Sequence, residues 1–221
     1  MSTFVSTLVR RELRLRLQSP ATWLYAVVFF AMVLVLFPLA VGASGTLLHQ
    51  IGAAAVWIAA LLAVLLGMDT LFRADIEEGT LEQIIVARHS LALWALIKVM
   101  VHWLTGGFVL SLLSFLAMPL FGLDLREAGL LAATLLLGTP ILTLFAAVAA
   151  ALTVSLRGGG LFIPLIALPL QLPVLIFATG ALDLLHHGES VLPILALLAA
   201  GVILALIFLP FALAGALRLA I

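Results

Sequence analysis

A chain of 221 residues with 66% hydrophobic and only 9% charged side chains departs from a soluble domain, where those shares run at roughly 45–50% and 25%. Ten Lys or Arg and ten Asp or Glu residues cannot clothe a soluble surface of this size, so lipid is the solvent for most of the chain. Cysteine is absent, which removes disulfides, thiolate chemistry and cysteine metal sites; zero net charge gives no sign of a nucleic-acid partner, and none is expected.

In chain order, the first feature is a basic stretch over residues 1–20 carrying Arg10, Arg11, Arg14 and Arg16. It is predicted to lie along an anionic membrane surface as an interfacial helix. Charge-free apolar runs then predict six spanning helices at 21–43, 47–68, 99–121, 128–155, 161–181 and 190–217. Each is long enough for a hydrocarbon core of about 30 Å, and runs without strand alternation read as helices rather than barrel strands. The stretch from Trp23 to Val41 exceeds the about 7–15 apolar residues of a signal core, so it is read as a retained span. The second span carries Ala55, Ala59, Ala63 and Gly67 at four-residue spacing, a smooth stripe suited to close helix approach within one subunit or across a dimer. Gly138 and Pro140 favour a kink in the fourth span. Pro164, Pro169 and Pro173 surround Gln171 in the fifth and predict a bent or broken helix that lines a pathway or serves structure alone.

Charge placement predicts orientation. With six spans, nine of the ten Lys and Arg residues fall on one side and only Arg126 on the other. The positive-inside rule makes the crowded side cytoplasmic, with both termini on it. The whole chain is expected to form a single transmembrane domain.

The segment 69–90 between the second and third spans is the richest in charge: residues 69–88 hold seven of the twenty charges. Gly79 is expected to end one helix, Thr80 to cap the next, and Glu82-Gln83 to supply the capping-box acceptor. Leu81, Ile84, Ile85 and Arg88 then share one helical face. The residues fit either a well-capped solvated loop or a short acidic helix presented to a partner. Arg73 through Gln83, with Lys98-Val99-Met100-Val101-His102-Trp103, Leu135 to Pro140, Arg157-Gly158-Gly159 and Leu172-Pro173 through Thr179, resembles the cytochrome c maturation protein B family of haem-exporter permeases. The blocks come in the same order over nearly the whole chain. Where that family often has a proline-containing segment, this chain has Ala87-Arg88-His89-Ser90.

The resemblance implies an all-α membrane protein of the ABC-2 exporter-like (type V) class, with a cytoplasmic coupling helix between the second and third spans. It implies a separate, CcmA-like ABC ATPase docked on Arg73, Asp75, Glu77, Glu78, Gly79, Thr80, Leu81, Glu82 and Gln83. It further implies assembly with the haem-handling membrane protein C, the small protein D and the periplasmic haem chaperone E. The expected setting is the bacterial inner membrane, with haem as substrate rather than a tightly bound cofactor and ATP consumed by the partner. An ABC-2 permease for another lipid, polysaccharide or drug is the alternative. A homodimer is expected, since six helices make half of a usual exporter pathway.

Nothing in the residues suggests catalysis. The sole lysine, Lys98, has none of the glycines of a phosphate-binding loop around it, and neither a Gly-x-Ser-x-Gly elbow nor a His-Glu-x-x-His helix is present. Lys98 is expected to reach for the headgroups. Lys98, His102, Trp103 and Gln171 are the candidates for pathway or substrate contact, His102 toward a propionate or the haem iron. Arg157, Gly158 and Gly159 form a tight turn for cytoplasmic contact. His186-His187, between Asp183 and Glu189, is read as a solvated external loop, and no metal site is predicted.

Overall fold

A computed structural model describes residues 2–18, 21–42, 44–156 and 158–220. Its elements are helical throughout, with no strand among the described residues. Helix α1 (Ser2–Gln18) precedes α2 (Ala21–Val41) and α3 (Gly45–Leu65). Two short helices follow, α4 (Arg73–Glu77) and α5 (Thr80–Val86). The third crossing is built from α6 (Leu91–Thr105), α7 (Gly107–Leu113) and α8 (Ala117–Phe121). Helices α9 (Leu125–Thr153), α10 (Phe162–His186) and α11 (Leu192–Arg218) complete the bundle. Six helical stretches are long and apolar enough to cross a membrane.

Helix α9 is the axis of the bundle. It contacts α10, α11, α3 and α7, and its Thr134, Thr139 and Thr143 are buried. In lipid such hydroxyls need internal partners, and Thr134 and Thr143 donate to the carbonyls of Leu131 and Thr139. Close approach depends on Gly138: a Cβ there would lie 2.2 Å from Trp57 Cη2 of α3. The same indole donates to Thr134 Oγ1 at 3.4 Å. Ala55, Ala59 and Ala63 are buried inside the chain, so the small-residue stripe serves packing within the subunit. Gly67 lies beyond the end of α3, with φ 79°.

The break in the bundle lies elsewhere than the prolines suggest. Helix α10 runs unbroken through Pro169 and Pro173, and α9 through Pro140. Gln171 pins α10 to α9 by donating from Nε2 to the Leu142 carbonyl at 2.9 Å. The third crossing is interrupted instead at Gly106, with φ −111° and ψ −82°. Adjacent Gly107 leaves room for Trp103, whose Cδ1 would be 2.6 Å from an added Cβ. Two glycines in sequence remove the side-chain packing that holds a helix through such a point.

Candidate functional site

The segment between α3 and α6 folds as a pair of short helices against the bundle. After α3, Gly67 turns the chain left-handed and Thr70 Oγ1 donates back to its carbonyl at 2.8 Å. Between α4 and α5, Gly79 has φ 69° and is itself the N-cap of α5, with no side-chain cap bond. Thr80 therefore opens the helix rather than capping it, and the expected capping box is not formed. A left-handed φ at that point suits glycine. At the far end, Arg88 adopts φ 54°, while Arg88 N–H donates to the Ile85 carbonyl and His89 N–H to that of Ile84. This Schellman closure stops α5 at Val86, so Arg88 lies past the amphipathic helix and not on it.

Burial divides α5 into two faces. Leu81 and Ile84 are buried against the bundle, whereas Glu82, Gln83, Ile85 and Val86 are exposed. Glu77 and Glu78 are also exposed, and Arg73 is half-buried. The outward surface therefore mixes carboxylates with two aliphatic side chains.

Asp75 differs from its acidic neighbours because it is buried. Lys98 Nζ of α6 lies 2.8 Å from Asp75 Oδ2, close in distance though off the line of a hydrogen bond. The same ammonium donates to Glu12 Oε2 of α1 at 3.1 Å and sits 5.6 Å from the centre of the Trp94 ring. One buried cation thus joins α1, α4 and α6. Lys98 does not reach for headgroups, because two buried carboxylates need its charge where it stands. Helix α1 is correspondingly docked on α6 through Glu12 and Leu8, both buried, and keeps Arg10, Arg11 and Arg14 exposed. Arg16 is half-buried; burial lowers its pKa from the ordinary value, and the Glu12 carboxylate opposes that shift.

The remaining predicted residues do not converge on one point. His102 lies one turn beyond Lys98 on α6, with Nδ1 buried and without a hydrogen-bond partner. Trp103 Nε1 donates to Thr139 Oγ1 of α9 at 2.9 Å. Gln171 is buried on the α9–α10 seam, as described. Gly158 has φ 74°, and a Cβ on Gly159 would be 2.1 Å from the Thr153 carbonyl oxygen. This turn meets the α3–α4 connection, Gly160 facing Asp69. Arg157 lies outside the described residues.

Sequence reasoning missed His49, Glu127 and their meeting with His186 at the opposite end of the bundle. The signals were present: Asp124-Leu-Arg-Glu127 has capping-box spacing ahead of an apolar run, and His49 with Gln50 stands near the start of an apolar span.

Comparison with known proteins adds a consistent result. The family described as CcmB protein matches residues 3–220. Heme exporter protein B of Pseudomonas aeruginosa is 47% identical over 221 residues, covering 100% of this chain and 99% of that protein. Heme exporter protein B of Haemophilus influenzae is 41% identical, with 97% of each chain covered. The Bradyrhizobium diazoefficiens protein of the same name is 41% identical, with 98% of each covered.

Proposed function

Since the chain belongs to the CcmB protein family, we propose that it is the membrane-spanning permease subunit of an ABC transporter that exports haem for c-type cytochrome assembly. A separate ATPase drives it by docking on the 73–88 segment. The observation that carries this reading is Lys98, which ties that segment to α1 and α6 through two buried carboxylates. A push on the exposed face of α5 would not be lost in a loop; it would move α4 and, through one ammonium, the start of the interrupted third crossing.

The nine-to-one division of Lys and Arg supports placing this face and both termini in the cytoplasm. The lack of any phosphate-binding loop in the sequence supports ATP hydrolysis on the partner alone. Gly158 and Gly159, in the turn that meets the α3–α4 connection, would flank the docked ATPase, with Arg157 of the same sequence block proposed to contact it. Lys98 then acts in coupling, and His102, with its unpartnered buried nitrogen, is the residue of α6 assigned to the pathway. Trp103 holds α6 to α9 next to it, and Gln171 holds α10 to α9 on a separate seam. Two copies would form the exporter, in assembly with membrane protein C and small protein D and passing haem to chaperone E.

The test replaces Glu78 and Glu82 with lysine, both exposed and outside the ion cluster. The ATPase is expected to fall away from the purified complex, and holo-chaperone to stop accumulating in cells. Retained ATPase with unchanged holo-chaperone would refute docking on α5. Undiminished holo-chaperone in cells that lack this subunit would refute haem as the cargo.

A further inference from the structure

At the face opposite α5, three helix ends bring together two imidazoles and a carboxylate. His49 lies in the second turn of α3, Glu127 in the first turn of α9 and His186 at the last residue of α10. His49 Nε2 is 3.1 Å from Glu127 Oε1, and His186 Nε2 is 2.5 Å from that same oxygen. All three donor atoms lie within 4.8 Å of one another. The second carboxylate oxygen, Oε2, accepts from the Asp124 backbone N–H at 2.7 Å, and Asp124 Oδ1 accepts from Glu127 N–H at 2.7 Å. The capping box thus fixes Glu127 from behind; His49 Nε2 reaches both carboxylate oxygens, at 3.1 Å from Oε1 and 3.2 Å from Oε2, while His186 meets Oε1.

We propose that His49, Glu127 and His186 form a binding site for a divalent transition-metal ion of the zinc class. Two nitrogens and one oxygen are a usual protein contribution to such an ion, with water in the fourth position. Bond lengths of about 2.0–2.2 Å in a tetrahedron place ligand atoms about 3.3 Å apart. The His49–Glu127 separation of 3.1 Å already approaches this, and His186 needs only a small rotation outward. Both imidazole side chains are partly open, at 37% and 39% exposure, while the carboxylate is 7% exposed. An ion can therefore enter from water and bring its own water ligand. The Asp124 backbone supplies the outer-shell hydrogen bond that orients a ligating carboxylate. Haem is not the fitting ligand here. The two rings stack, centroids 5.5 Å apart and planes at 29°, whereas two histidines on one haem iron must face each other end-on across the porphyrin.

This site is independent of the transport reading: it would staple three helix ends whatever the cargo. The purified full-length chain, stripped with a chelator, is titrated with zinc against a chromophoric competitor and separately with cobalt(II). One equivalent per chain is expected, with a visible cobalt d–d spectrum and weaker binding as pH falls and the imidazoles take up protons. His49→Ala and His186→Ala should each weaken binding at least tenfold, while His187→Ala, altering an exposed neighbour that bonds only the Asp183 carbonyl, should leave it unchanged. Equal binding by wild type and the His49→Ala/His186→Ala double variant would overturn the proposal, as would an equal loss in His187→Ala. A readout that needs no variant is thermal melting: zinc, and not magnesium, should raise the midpoint of the wild type. No zinc-specific shift would overturn the site as well.

Discussion

The two ends of the bundle solve a similar problem with different groups. At one end Lys98 lies between the carboxylates of Glu12 and Asp75; at the other, the carboxylate of Glu127 lies between His49 and His186. Each cluster joins three helices. The first is closed, with side-chain exposures of 11%, 4% and 6% for Lys98, Glu12 and Asp75. The second is half open at its imidazoles. A closed cluster of opposite charges is a fixed linkage whose loss strands a charge in low dielectric. An open cluster of neutral-capable ligands can exchange protons or an ion with solvent. The difference teaches that the proposed coupling end has the fixed linkage that transmitting a displacement needs, while the other end is accessible to solvent.

The hardest way to break that comparison is to remove the central cation. Lys98→Ala strips buried Asp75 of its cation and leaves Glu12 with the 3.5 Å contact to half-exposed Arg11; it is expected to cost about 3–5 kcal/mol, the range for breaking a buried ion pair. The thermal midpoint in detergent should fall accordingly, and the triple variant Glu12→Gln/Asp75→Asn/Lys98→Met should recover most of the loss. A cost below about 1 kcal/mol, typical of an exposed pair, would show that the cluster is no clamp.

A change at mid-height serves as the reference between the two ends. Gly138→Ala forces a Cβ to 2.2 Å from Trp57 Cη2, in a seam of α3 and α9 where neither helix can yield easily. Overpacking of this kind costs about 1–3 kcal/mol. Melting should fall by that amount, while ATPase retention and metal affinity should shift together or not at all. A selective loss of one would place the seam with that end.

Much of this architecture was legible from the chain alone, for definite reasons. Six spans follow from run length, because lipid demands about 20 apolar residues per crossing, and the charge density at 69–88 marks the segment that forms α4 and α5. The partners of the charges were not legible. Glu12 and Lys98 are 86 residues apart, and Glu127 is 78 from His49 and 59 from His186. Periodicity describes one helix at a time and carries no information on which helix is its neighbour. The prolines leave α10 continuous for a related reason. Each removes one donor, but α10 is held along α9 by the bond from Gln171. Gly107 looks innocuous in sequence until Trp103 and Thr139 are seen pressed against it.

The smallest expected effects concern the caps at the two ends, and they sharpen the contrast by separating anchoring from ligation. Ser90 caps α6 at the end beside α5 with a single bond, Oγ accepting from Leu93 N–H at 3.2 Å. Asp124 caps α9 at the opposite face with a reciprocal pair, both bonds at 2.7 Å. Alanine at a cap costs about 0.5–2 kcal/mol, so Asp124→Ala should sit near the top of that range and Ser90→Ala near the bottom. Asp124→Ala deletes the side-chain acceptor but keeps the backbone N–H that holds Glu127 Oε2. Zinc affinity should therefore drop by no more than a few fold even as the melting midpoint falls. Ser90→Ala should leave zinc binding untouched and weaken ATPase retention slightly, because the start of α6 is where Lys98 receives the pull of α4. If Asp124→Ala abolished zinc binding outright, the carboxylate would be oriented by the cap side chain rather than by the backbone, and the rigid half of the ligand set would have to be reassigned.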